Sequence, residues 1–171
     1  MDEAALKAAF KGAMGSFPAG VVIATARGAD GEPVGFTASS FSSVSLEPPL
    51  VLVCLAKTAG CYRVFHAAQH FAINILSAGD EALATRFATR GAAKFAGDEF
   101  VHGVHRLPLV RDAVAQLSCR QHAVHEGGDH VILVGHVEAI GLDATRDPMV
   151  YFRREFWRFD AGHRQLRSGQ A

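Results

Sequence analysis

Between Thr37 and Ser45 the chain places six hydroxyl side chains in nine residues, Thr-Ala-Ser-Ser-Phe-Ser-Ser-Val-Ser. Short hydroxyls and the exposed backbone N–H groups of such a loop suit a polar, phosphorylated ligand. The loop meets Pro48-Pro49 and then the unbroken apolar run Leu50–Ala56. Just past that run stand Lys57 and Thr58, ahead of Cys61–Ala68, which reads as a helix. A helix start offers unpaired N–H groups and the positive end of a dipole, so a Lys and a hydroxyl there complete an anion site. A solvated Lys on a loop is the plainer alternative.

Two further polar residues interrupt apolar strands. Asn74 is the one polar member of Phe71–Leu76 and needs a partner, which a ligand edge or a loop carbonyl would serve equally. In Asp129–Ile140 the residues Val131, Leu133, Val137 and Ala139 share one face, while His130, His136 and Glu138 share the other. His130 therefore points toward solvent or a cleft. The pairs His102-x-x-His105 and His122-x-x-His125 do not suggest a metal. In extended chain a spacing of three puts the two rings on opposite faces, no third ligand accompanies them, and Cys119 stands alone. No metal site is expected, nor any Ser/His/Asp or paired-carboxylate arrangement.

These residues need a frame. Ala4–Met14 reads as an amphipathic helix through Leu6, Phe10 and Met14. A break at Phe17–Gly20 starts strand Val21–Ala26, and a turn at Ala29–Pro33 closes a hairpin onto Val34–Thr37. Leu50–Ala56 has the length and β-branched content of a strand buried on both faces. Strand Phe71–Leu76 and helix Asp80–Thr89 follow. Gly91–Leu107 reads as a polar loop with a helical turn around Lys94. Strands Ala113–His125 and Asp129–Leu142 join at Glu126-Gly-Gly128, a tight-turn signal. One or two strands fill Met149–Phe159, and His163–Ala171 reads as a loose tail. Six or more strands with short inserted helices predict a mainly β domain, an antiparallel barrel rather than a doubly wound sheet.

A chain of 171 residues, 49% hydrophobic, supports a single domain, its core about 10–160. Seventeen basic residues balance seventeen acidic ones without a cluster able to track a phosphate backbone, so nucleic acid is not an expected partner. The apolar runs are strand-length, too short for a membrane span. The acidic start Met1-Asp-Glu is no signal peptide. Cys54, Cys61 and Cys119, an odd number with no C-x-x-C pair, fit reduced thiols in a cytoplasm. No G-x-G-x-x-G and no P-loop signature is present.

The order of the residues adds a resemblance. Thr37-Ala-Ser-Ser-Phe-Ser-Ser-Val-Ser-Leu-Glu-Pro-Pro-Leu-Val-Leu-Val-Cys54 resembles the signature of the flavin reductase-like family, the small NAD(P)H:flavin oxidoreductases that supply two-component monooxygenases. Phe17-Pro-Ala-Gly-Val-Val-Ile-Ala-Thr25, Phe71-Ala-Ile-Asn-Ile-Leu-Ser77, Gly128-Asp-His-Val-Ile-Leu-Val-Gly-His-Val137 and Pro148-Met-Val-Tyr-Phe-Arg153 are similar to its other blocks, in the same order. Glu47 stands where the family usually has Asp, and Arg154 where many members have Gly.

The resemblance implies an FMN-binding split β-barrel, antiparallel and Greek-key-like, with short inserted helices. It implies flavin contacts at Thr37, Ala38, Ser39, Ser40, Val44, Ser45, Cys54, Ala56, Lys57, Thr58 and Asn74, and NAD(P)H contacts at His130, Tyr151, Phe152 and Arg153. It implies hydride transfer from NADH or NADPH to N5 of FMN or FAD, with no side-chain catalyst strictly required, in a homodimer that delivers reduced flavin to a separate flavin-dependent monooxygenase. A flavoredoxin-like protein holding FMN tightly for electron transfer is the alternative.

Overall fold

A computed structural model of the chain describes residues 2–159; the expectation for His163–Ala171 lies outside them. The chain opens with helix α1 (Glu3–Gly15), then strands β1 (Ala19–Gly20), β2 (Val22–Arg27), β3 (Pro33–Ala38), β4 (Ser42–Ser45) and β5 (Leu50–Ala56). Helix α2 (Tyr62–Ala67), strand β6 (His70–Ile75) and helix α3 (Glu81–Ala88) follow. Strands β7 (Phe100–His102), β8 (Pro108–Val110), β9 (Ala115–Gly127), β10 (His130–Leu142), β11 (Met149–Phe152) and β12 (Glu155–Arg158) complete it. Seven strands form one antiparallel sheet in the order β3-β2-β6-β9-β10-β5-β4, and β1-β11-β12 and β7-β8 form two smaller sheets. The protein is mainly β, as its patterning predicts.

The spine is the β9–β10 hairpin. Its loop is Gly128-Asp129, with Gly128 at φ 75°, a conformation that favours Gly in a two-residue connection. The ladder shifts register twice, between Val134 and Gly135 and between Val137 and Ala139, and such bulges bend a strand. At Gly135 an added Cβ would lie 2.6 Å from Phe71 Cζ and 2.8 Å from Cys119 Cβ. Only the missing side chain lets β10 pass so close.

β2 is buried on both faces. Val22, Ala24 and Ala26 enter one core with Phe65, Phe71 and Leu133, while Val21 and Ile23 enter another with Leu76, Phe87 and Met149. Burying each large apolar side chain contributes about 1.5–3 kcal/mol, and α3 supplies Leu83, Ala84 and Phe87 to the second core. Cys119 lies in the first core, where burial pushes its thiol up to about 12. The other two cysteines are half-buried and free.

The structure changes one expectation and refines two others. β5 is not buried on both faces: Val51, Val53 and Leu55 face the core, while Leu50, Leu52, Cys54 and Ala56 stay half-exposed. Its apolar composition concealed an alternation that only the fold displays. Around Lys94 the chain makes only a turn at Lys94-Phe95 and no helix, and the Lys94 amine donates to the carbonyls of Gly35 at 3.0 Å and Phe87 at 2.7 Å. The segment also holds the β7–β8 ladder and a 3₁₀ turn, Val104–Arg106. Finally, α1 buries none of its residues, and Leu6, Phe10 and Met14 are each more than half exposed. Among the described residues no helix is long and apolar enough to cross a membrane.

Candidate functional site

The large sheet has two edges, β3 and β4, and Ser39–Phe41 carries the chain around the corner between them. β4 is short and pairs only with Leu50–Leu52, so the second half of β5 runs on beyond it. There Ser40 Oγ accepts the N–H of Cys54 at 3.0 Å and donates to its carbonyl at 3.3 Å. One hydroxyl thus ties the β3 corner to β5, and past that tie the two strands part. A cavity of about 480 Å³ opens in the seam, within the roughly 300–1,000 Å³ of small-molecule sites. β3 forms one wall and the end of β5 with Thr58–Cys61 the other, and the segment from Phe87 to Phe95 closes it.

Of the expected contacts, Thr37, Ala56 and Thr58 line this cavity. The Thr37 hydroxyl is already committed, donating to Ala84 O of α3 at 2.6 Å. Two cations that the sequence did not single out, Arg90 and Lys94, line it as well. Burial pulls the Lys94 ammonium below its usual range, and Cys61, which also lines the cavity, partly offsets this. Their signal was available, two cations in the Gly-rich stretch after α3, but nothing local tied that stretch to Thr37.

Lys57 stands at the rim. Its amine pairs with Glu126, which raises its pKa, and its backbone N–H donates to Asp129 O at 3.0 Å. α2 is a short helix whose first residue is Tyr62, so Lys57 and Thr58 stand several residues ahead of its N-terminus. His130 faces Ala56 directly in the β5–β10 register. Its ring is partly exposed, and its Nδ1 lies 2.7 Å from Asp129 Oδ1, a bond that holds the Asp129 carboxyl below the usual range. Lys57, Glu126 and His130 therefore gather at the β9–β10 turn beside the open end of the seam.

Other expected contacts lie elsewhere. Ser45 pairs with Leu50 and Val44 sits exposed at the adjoining bulge. They are at the far end of β5, about 20 Å from Ala56 at roughly 3.3 Å per residue. Ala38 and Ser39 lie between these extremes, at the end of β3 and in the corner.

Asn74 is not available to a ligand: it is fully buried, its amide donates to Ile23 O at 3.0 Å, and its carbonyl accepts the Val110 N–H at 2.8 Å. The backbone, not a cofactor, satisfies it. Tyr151, Phe152 and Arg153 belong to the small β1-β11-β12 sheet. Tyr151 packs on Phe156 in the second core, and Arg153 turns the β11–β12 hairpin at φ 52° with its guanidinium 5.0 Å over the Phe152 ring. These roles tie the three residues to the small sheet, whereas His130 lies in β10 of the large one.

The residues present fit a phosphorylated aromatic cofactor: a cavity with apolar walls into whose lining Thr37, Thr58, Arg90 and Lys94 bring hydroxyl and cationic groups. Comparison with known proteins decides the family. Residues 14–160 match the flavin reductase like domain. The chain belongs to the flavin reductase-like family. This flavin reductase-like chain is 46% identical over 144 residues to the actinorhodin polyketide dimerase of Streptomyces coelicolor, covering 84% of this chain and 81% of that one. It is 40% identical to the FMN reductase (NADH) SmoA of Agrobacterium fabrum, covering 88% and 84%. It also matches the stachydrine N-demethylase reductase subunit Stc3 of Rhizobium meliloti at 46% identity, spanning 58% of that longer protein. Its fold superposes on the Streptomyces globisporus NADH:FAD oxidoreductase SgcE6, solved with NAD and FAD fragments, with a TM-score of 0.88, 36% identity, and coverage of 95% and 98%.

Proposed function

We propose that this chain is an NAD(P)H:flavin oxidoreductase that reduces FMN or FAD and hands reduced flavin to a separate flavin-dependent monooxygenase. The observation that carries this is the seam cavity, lined by Thr37, Thr58, Arg90 and Lys94 and by Ala56, which pairs with His130 across the β5–β10 ladder. Bound there, flavin and nicotinamide supply the redox chemistry themselves, hydride passing from one to the other. The chain's part is positional. Arg90, Lys94 and Thr58, with Lys57 at the rim, would hold phosphate and ribityl groups, Ala56 and the apolar wall would exclude water from a ring, and His130 would orient the nicotinamide nucleotide. NADH-dependent relatives support NADH as the donor, and reductase components of two-component systems support the monooxygenase partner. Three free thiols support a cytoplasmic setting.

The test is NADH oxidation by the purified chain with added FMN or FAD. Turnover that saturates with added flavin is expected; a stably yellow protein that leaves NADH untouched would instead establish the flavoredoxin-like alternative. In the same assay His130→Ala should raise KM for NADH about tenfold, the scale of one positioned hydrogen bond, with flavin affinity unchanged. Parallel loss of flavin binding would make His130 structural.

The chain is further proposed to work as a homodimer. Strand β2, although apolar on both faces, offers no free surface, because α3 and the second core cover its outer face within the chain. The support is the half-exposed outer face of β5 together with α1, whose Leu6, Phe10 and Met14 have no cover in one copy. Light scattering should give twice 18.2 kDa; a monomer at micromolar concentration would overturn it.

A further inference from the structure

The segment leading into α2 lines the seam cavity, and α2 itself lines a second one. This groove, of about 540 Å³, lies between the end of β2, α2, the start of β6 and the 3₁₀ turn Val104–Arg106. Arg27, Arg63, His70 and His105 bring polar groups to it, Val64 and Leu107 bring apolar ones, and its lining holds no Asp or Glu.

Arg27 is fixed in place. Its Nε donates to Arg106 O at 2.6 Å, its Nη1 donates to Gly31 O at 2.6 Å, and its Nη2 lies 3.3 Å from His102 Nδ1. None of these partners is a carboxylate, and among the described residues no ion pair cancels the guanidinium charge. Arg63 is exposed and has neither a hydrogen bond nor an ion pair among the described residues. The acids nearby are engaged. Glu138 takes Arg120 Nε on one oxygen at 3.2 Å, and its other oxygen faces the Nε2 atoms of His105 and His70 at 3.3 and 4.0 Å. Asp30 accepts the Glu32 N–H at 3.0 Å. The two imidazoles stack at 3.7 Å with 21° between their planes.

The turn that carries His105 is strained. His105 and Arg106 are consecutive non-Gly residues at positive φ, 56° and 57°, a conformation that L side chains disfavour. It sets the Arg106 carbonyl on Arg27 and the His105 ring on His70. Strain of this kind persists where the surroundings over-determine it, and it concentrates at ligand sites.

We propose that this groove binds a phosphomonoester with a compact apolar body, at a site separate from the seam. Two guanidinium groups without carboxylate partners suit a dianion better than a monoanion, and the planar fork of each matches phosphate oxygens in pairs. Val64, Ala67 and Leu107 receive the body, and a volume of about 540 Å³ is that of a small-molecule site rather than of a bare ion. Neither arginine stood out in the sequence, because only the fold sets α2 beside the end of β2.

The test is isothermal titration of phenyl phosphate into the full chain, with FMN in saturating excess and again without it. One site per chain is expected in both titrations. Inorganic phosphate and benzoate should each bind at least about tenfold more weakly, the first lacking the body and the second a charge. Arg63→Gln, at an exposed helix position, should weaken phenyl phosphate about ten- to hundredfold and leave FMN affinity and NADH turnover as in the parent. Arg27→Lys keeps the charge but loses the fork and should also weaken it, while Lys11→Gln on α1 should not. Far-UV spectra report that each variant folds. Unchanged affinity in either arginine variant, displacement by FMN, benzoate or inorganic phosphate binding as tightly as phenyl phosphate, or the same loss in Lys11→Gln would each overturn the site. Flavin reduction stands or falls separately, since the groove and the seam cavity share no lining residue.

Discussion

Asn74→Ala is expected to cost about 3–5 kcal/mol of stability. The substitution leaves the Ile23 carbonyl and the Val110 N–H buried without partners, at about 1–3 kcal/mol each, and adds a small cavity. Urea unfolding should show the midpoint falling with little change in slope. The same variant separates structure from function at this position. Its folded fraction, isolated at low temperature, should bind flavin as the parent does. A stable variant with lost flavin affinity would return Asn74 to the cofactor.

Lys57→Ala should weaken FMN about ten- to hundredfold, the scale of a charge-assisted contact to phosphate, while riboflavin, which has no phosphate, binds nearly as before. The geometry adds a refinement. The Lys57 amine pairs with Glu126, so a phosphate must compete with a carboxylate for it. Glu126→Gln should consequently tighten FMN and leave riboflavin unmoved. Paired titrations of the two flavins against each variant decide the matter. Equal weakening of both ligands by Lys57→Ala, or intact FMN binding, would assign the phosphate to Arg90 and Lys94 alone.

Much of the frame was legible because it rests on local signals. The β9–β10 hairpin announced itself through alternation and paired glycines, although its two-residue loop is Gly128-Asp129, one step beyond the Glu126-Gly127-Gly128 expected. The β2–β3 hairpin and β5 fell within a residue or two of their expected bounds. What stayed hidden depends on which distant segments meet. Composition alone cannot say that β5 shows one face to the core, since both faces are apolar. Lys94 looked like a helical residue, yet tertiary acceptors at Gly35 and Phe87 claimed its amine. Asn74 carried two compatible partners in the sequence, and only the approach of Val110 selected one. At the seam, Thr37 and Thr58 were visible from their types, but Arg90 arrives there only because α3 folds back over β3.

The double burial of β2 has a consequence for how the molecule comes apart. Alternate residues of this one strand belong to different apolar clusters, so neither cluster has a complete wall without it. Opening either side strips the strand and exposes the other. The two clusters are therefore coupled into one cooperative unit, and the amides of β2 should exchange with solvent only through global unfolding. A cleft cut into a sheet invites local fraying. Here the strand next to β3 anchors that edge of the seam to the most slowly opening part of the chain.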